Sequence, residues 1–327
     1  MKPTLSLFLL ACLTAPLTSQ GSFTAVNFAG DVFEVDPSTA AETFIGPSGW
    51  TDLNCMAKGL DGCFYSMSGG TVIRIDRNTG IGINVVSTSL TDVRGAAIDD
   101  LGVFFAVQDG GPGLPDQLYS IDLTSGTTTY IGSINYVLVE ALDDVGGVLY
   151  GWDCSAGLIT IDKINGGGTG IGASGGTCNN VRGLGGGFAP GSLYGANMDM
   201  STVNTGTGAL TFIGGPLSDL RGLEFCIFTL DIIGSCPGLA DVVICCASAN
   251  NVVAVVLSPF LGPWTVTGGA CAGLILGIGP PVNVTMLNTD DCGKARLQVY
   301  IPPGACGMYV QAVDAATCGL SNIVGPL

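Results

Sequence analysis

Leu118–Gly132 reads LYSIDLTSGTTTYIG: alternating apolar residues, an Asp, a short polar turn closed by Gly, then a second apolar stretch ending on Gly. The pattern, ending on or near Gly, occurs five times, as Val32–Gly46 (VFEVDPSTAAETFIG), Val72–Ser87, Leu118–Gly132, Leu158–Gly172 and Met200–Gly214. The turn-opening residues Asp36, Asp76, Asp122, Asp162 and Asn204 lie 40, 46, 40 and 42 apart. An Asp in that place accepts hydrogen bonds from backbone N–H groups just ahead of it, and a Gly supplies the positive φ that closes a tight hairpin. These residues therefore read as turn formers, with calcium ligation as the alternative.

Two more apolar strands precede each later hairpin. The nearer set is Phe64–Met67, Val103–Val107, Val148–Trp152 and Leu193–Ala196; the farther is Leu53–Ala57, Val93–Ile98, Val137–Leu142 and Val181–Leu184. Four strands at a period near forty residues are the signature of one β-propeller blade. The first unit lacks its leading strand, and the missing piece follows the fifth unit as Leu220–Phe225. Placed beside Phe23–Asn27, it closes a ring of five blades over residues 21–225. The expected fold class is all-β: a five-bladed β-propeller followed by a small Cys-rich antiparallel β-sandwich over residues 226–327.

Hydrophobic residues make up 47% of the chain, yet Gly, Asp, Ser and Thr interrupt every apolar run after the N-terminus before it reaches spanning length. No transmembrane span is expected. Residues 1–20 read as a signal peptide, with Lys2 in the charged region, Leu5–Leu13 as the apolar core and a polar cleavage zone before Gly21. Leu9–Cys12 loosely matches a lipobox, which would make Cys12 a lipid anchor. The expected location is secreted or cell-surface, with periplasm or outer envelope included. Thirteen cysteines less Cys12 leave an even number, and disulfides are the expected state of an exported chain. Cys55 and Cys63 flank a turn and suit a hairpin bridge, Cys306 and Cys318 bracket a strand, and Cys154 and Cys178 lie in the repeats. A net charge of −16 argues against nucleic acid as a partner.

The leading strands align on one column: Asn54, Arg94, Glu140, Arg182 and Arg221. Four members follow an Asp or Asn two residues earlier (Asp52, Asp92, Asn180, Asp219), and Glu140 departs from this. Only ten Lys and Arg exist in the chain, and three fall in this column. Its two readings are a self-satisfied ring of ion pairs and a channel-mouth site for a carbohydrate or an anionic group. Trp50, Tyr136 and Trp152 are nearby aromatics that suit either core or a sugar platform. The absence of His excludes His-based nucleophilic triads, and the Gly-rich runs lack a phosphate-loop setting. No catalytic or metal-binding residue is assigned, no cofactor is expected, and calcium is the one candidate.

The repeats resemble exported bacterial β-propeller proteins with LYxID…TG…xxIG units, in the neighbourhood of YVTN and quinoprotein-like propellers. The stretch Gly307–Asp314, Thr317–Cys318 and Ser321–Val324 resembles a C-terminal domain common on large exported proteins of environmental bacteria, which implies an accessory extracellular module. Asn283-Val-Thr285 matches a glycosylation sequon and reads as an exposed strand. The chain is thus expected to be a non-catalytic extracellular or cell-surface binding module for an unidentified glycan or protein. The alternatives are a His-free, carboxylate- or calcium-dependent hydrolase or lyase on extracellular polysaccharide, and a structural envelope component.

Overall fold

All five repeat turns close through the same bonds in a computed structural model, which describes residues 21–172, 181–187, 189 and 191–327. Asp36 Oδ1 accepts from the N–H groups of Ser38 (2.7 Å) and Thr39 (2.9 Å), and Asn204 Oδ1 from those of Gly206 (2.9 Å) and Thr207 (3.0 Å). Asp76, Asp122 and Asp162 repeat the arrangement. The fifth turn position is left-handed in every copy: Ala40, Gly80, Gly126, Gly166 and Gly208 have φ between 58° and 80°. The turn chemistry is therefore local and complete.

The chain is all-β, and among the described residues it has no α-helix. In the repeats the strands are β1–β3 (Ser22–Asn27, Asp31–Val35, Glu42–Pro47), β4–β7 (Ala57–Lys58, Phe64–Ser68, Thr71–Ile75, Gly82–Ser87) and β8–β11 (Val93–Ile98, Phe104–Gln108, Gln117–Ile121, Thr128–Ser133). They continue as β12–β15 (Val139–Val145, Val148–Asp153, Gly157–Ile161, Gly168–Gly170), β16–β19 (Gly183–Gly186, Leu193–Ala196, Met200–Val203, Leu210–Gly214) and β20 (Leu220–Cys226). Each of the last four groups of four is one antiparallel sheet, and the remaining sheet has the order β20-β1-β2-β3. There Phe23 pairs with Phe225 and Ala25 with Leu223, so chain-distant strands complete one sheet.

The five sheets pack in cyclic order. The leading strands touch as β4 to β8, β8 to β12, β12 to β16, β16 to β20 and β20 to β4. Small residues allow this: at Gly222 a Cβ would meet the backbone of Cys55 and Met56, and at Gly183 it would lie 3.1 Å from Gly222 N. The outer strands show the same order. In four of the five repeats the closing glycine receives the next repeat's turn, Gly46 against Thr79, Gly132 against Asn165 and Gly172 against Thr207, while Gly214 receives Thr39 of the first repeat; the second repeat ends on Ser87, whose carbonyl lies against Gly126. At those four glycines a side chain would collide with a carbonyl oxygen.

The C-terminal part contains β21–β25 (Thr229–Gly234, Gly238–Cys245, Val252–Ser258, Leu261–Thr265, Ile275–Ile278) and β26–β29 (Asn283–Asn288, Ala295–Ile301, Tyr309–Asp314, Leu320–Val324). Sheets β21-β22-β27 and β26-β23-β28-β29 share one apolar core in which Leu230, Val242 and Ile244 meet Val253, Val310 and Ala312. β24 and β25 form a separate pair, from which Leu276 and Ile278 pack on Val256 and Val313.

The disulfides correct two expected bridges. Cys63 bonds Cys292 rather than Cys55, whose thiol is free and buried at the packed leading strands. Cys306 bonds Cys236 and Cys318 bonds Cys271, so neighbours along the chain are joined to other strands. Cys226 bonds Cys246, Cys245 is a free thiol, and Cys154 is disulfide-bonded. Cys178, Asn180 and residues 1–20, including Cys12, lie outside the described residues.

Candidate functional site

Antiparallel order puts the starts of the leading strands and the loops between second and third strands at one end of the sheets. The five Asx turns lie at the other. The C-terminal part is fixed to the turn end of the second sheet through Cys63–Cys292, an Arg74–Asp291 ion pair and Lys294 Nζ donating to Leu60 O at 2.7 Å. The opposite end holds the aligned column.

At that end Arg94 sits inside a cage of three carboxylates. Its Nη1 donates to Glu140 Oε1 at 2.9 Å, and its Nη2 to Asp109 and, at 3.4 Å, to Asp92. Burial disfavours the charge, but Glu140, Asp92 and Asp109 outweigh it and hold the guanidinium above its ordinary pKa. Arg221 turns instead to Asp219 in a bidentate pair at 3.2 and 3.0 Å, with its guanidinium 5.2 Å from the ring centre of Phe28. Asn54 is half-buried after Leu53, whose backbone bridges to Ser68, and Arg182 donates its N–H to Ala196 O at 2.9 Å. The column thus brings Arg94 and Glu140 together across two sheets.

The Asp two residues ahead of the column has a backbone role as well. Asp52, Asp92 and Asp219 have φ of 65°, 49° and 53°, a left-handed conformation that Asp and Asn tolerate better than most residues. Leu138, ahead of Glu140, has no such turn to make; the preceding loop uses Asn135 at φ 64°.

The three aromatics belong to the framework. Trp152 is fully buried, Trp50 Nε1 donates to Gly82 O at 3.1 Å, and Tyr136 packs with the core of the third and fourth sheets. Phe28, which is 46% exposed and lies against Arg221, is the aromatic that faces out at this end. Asp116 is fully buried, and its two oxygens accept from Val139 and Gly110 N–H at 2.8 and 3.1 Å. Burial raises its pKa to about 6.

Sequence reasoning missed a second set of charges three residues further along the leading strands. Asp143 accepts from Gly186 N–H and Glu224 from Lys58 N–H at 3.1 Å, so each carboxyl spans two sheets. Burial pushes Asp143 to about 7; burial, and then the Asp143 charge, raise Glu224 well above the carboxylate range. The available signal was an acid in two repeats at a position that Ala57, Ala97 and Gly185 occupy in the other three. Lys163 bridges Asp99 (3.3 Å) and Asp144 (2.6 Å). Arg74, Arg94, Lys163 and Lys294 thus each join two parts of the fold.

No family model matches the chain, and no curated protein matches it. A chain from the solved structure described as "The de novo evolutionary emergence of a symmetrical protein is shaped by folding constraints" is similar over 62% of this chain and 97% of that one, at 19% identity and a TM-score of 0.46.

Proposed function

We propose that residues 21–225 form a five-bladed β-propeller, that residues 226–327 form a β-sandwich, and that the chain is a non-catalytic extracellular binding module taking carbohydrate at the open end of the propeller. The cyclic contacts of the leading strands and the pairing of β1 with β20 support the architecture. The disulfides suit an exported protein.

The observation that carries the ligand reading is the surplus of carboxylate over guanidinium around Arg94, with Phe28 exposed beside Arg221. Arg94 and Arg221 are neutralised by their own acids, so capture of an anion is disfavoured. Carboxylates left with spare lone pairs accept hydrogen bonds from sugar hydroxyls, and an exposed aromatic face packs on a sugar ring. The hydrolase alternative gains nothing here: Glu140 is held by Arg94, and both oxygens of Asp116 are taken by backbone N–H groups.

A glycan-array screen, run with and without calcium, tests this reading. Binding to defined oligosaccharides that is weakened in Phe28→Ala supports it. The absence of any glycan signal, or turnover of a bound glycan, counts against it.

A further inference from the structure

We propose that Lys58 and Arg77 form a small oxyanion site at the turn end of the second sheet, taking a carboxylate, sulfate or phosphate group between them. Cations are scarce in this chain, and most of those described are committed. Arg74, Arg94, Lys163, Arg221 and Arg296 each form an ion pair, and Lys294 Nζ donates to a carbonyl. Lys58 and Arg77 do neither among the described residues. Their one side-chain hydrogen bond runs from Arg77 Nε to Thr24 Oγ1 at 3.1 Å.

The fold nevertheless brings the two together. Lys58 pairs with Phe64 across β4 and β5, and the Arg77 guanidinium lies 5.0 Å from the centre of the Phe64 ring. The bond to Thr24 on β1 fixes the Arg77 side chain and leaves both Nη groups to donate. Burial, together with the facing Arg77, lowers the Lys58 pKa.

The fourth repeat shows what is missing. Asp144 pairs with Leu149 in the register in which Lys58 pairs with Phe64, and Lys163 follows Asp162 as Arg77 follows Asp76. Lys163 reaches over Phe105, the counterpart of Thr24, and meets the Asp144 carboxylate at 2.6 Å. The second repeat holds a lysine where the fourth holds that carboxylate. An oxyanion between Lys58 and Arg77 restores the pair, with Arg supplying a planar fork and Lys a point charge.

The groups around the site leave the place open. Glu34 and Asp314 face Arg77 and Glu224 faces Lys58, all beyond ion-pair reach. Glu34 accepts from Ser22, and Asp314 from Ser248 and Ala316. Glu224 accepts the Lys58 N–H, and burial favours its neutral form, as it does for the Cys245 thiol that also faces Lys58. The net charge of −16 opposes an anion from afar, but salt screens that field beyond about 10 Å. Contact with two cations then decides. The site lies at the end of the sheets opposite the proposed glycan site, and the inference is independent of that reading.

Isothermal titration of the mature chain with sodium sulfate and, separately, sodium acetate, at constant ionic strength, is the test. The wild type binds at least one of them with a dissociation constant of about 1 mM or tighter, and the tighter of the two distinguishes a tetrahedral anion from a carboxylate. Arg77→Gln weakens binding about tenfold or more, the worth of a charge-assisted hydrogen bond. Lys58→Asp supplies the carboxylate within the chain, so it abolishes binding and raises the melting temperature measured without the anion. No heat with either salt in the wild type, or an affinity unchanged in either variant, overturns the proposal.

Discussion

Gly214, near the end of the fifth repeat, lies against the carbonyl of Thr39 in the turn of the first. Together with the pairing of β1 and β20, this contact docks the last repeat on the first at its outer rim as well as at its inner edge.

Gly214→Ala should therefore destabilise the protein by about 2 kcal/mol, within the range for forcing a methyl into occupied space. Gly304→Ala, where a Cβ meets nothing within 4 Å, should stay within about 0.5 kcal/mol of wild type. Urea unfolding midpoints of the two variants check the contrast.

Removing Arg94 leaves Asp92, Asp109 and Glu140 facing one another. Its side chain is 20% exposed, so the effect should lie between that of a surface pair and a fully buried one, about 1–3 kcal/mol for Arg94→Ala. Part of that loss should be recovered at high ionic strength, which screens the three carboxylates from one another. A chemical-denaturation series at low and high salt measures it, and a loss equal at both would count against the cage.

Acidity should stabilise the native state over a defined window. Asp143 at about 7, Asp116 at about 6 and Glu224 all lie above ordinary carboxylate values of about 4. The native state then binds more protons than the unfolded state, and stability falls as pH rises from about 4 to about 7. Asp36, Asp122 and Asp241 are held below their ordinary value, so their contribution is lost as pH drops beneath about 4. The urea midpoint should therefore be highest near pH 4–5 and decline toward 7.5, with a flatter decline in Asp143→Asn. A wild-type midpoint that rises from pH 4.5 to 7.5 would contradict this.

The two free thiols among the described residues should separate kinetically. Cys55 is buried at the packed leading strands, and burial raises its pKa to about 12; Cys245 is partly exposed. Since the thiolate is the reactive form, a thiol reagent should modify Cys245 in native protein and reach Cys55 only in denaturant. Mass spectrometry of the labelled peptides reads the order directly.

The hairpins were legible in the sequence because Asx-turn chemistry is local: Asp36 and its four counterparts bond residues two and three ahead. The column was legible as a pattern, but the partners of Arg94 were not. Asp109 lies fifteen residues away in a loop without periodicity, and Glu140 belongs to another repeat. Cys63 and Cys292 are 229 residues apart, a separation that carries no pairing signal, so the nearer Cys55 looked the better partner. Strands β25 and β29 carry little signal of their own in the sequence. Ile275–Ile278 is only four residues long, and Leu320–Val324 follows a disulfide turn without an alternating lead-in.

Carbohydrate binding at the open end is tested most directly by isothermal titration of the wild type and of Asp109→Asn with the best oligosaccharide from the array. The account predicts binding by the wild type and a loss of about tenfold or more in Asp109→Asn, the worth of one charge-assisted hydrogen bond, with the urea midpoint shifted only slightly. Equal affinity in the two proteins, or no heat of binding in either, would contradict it.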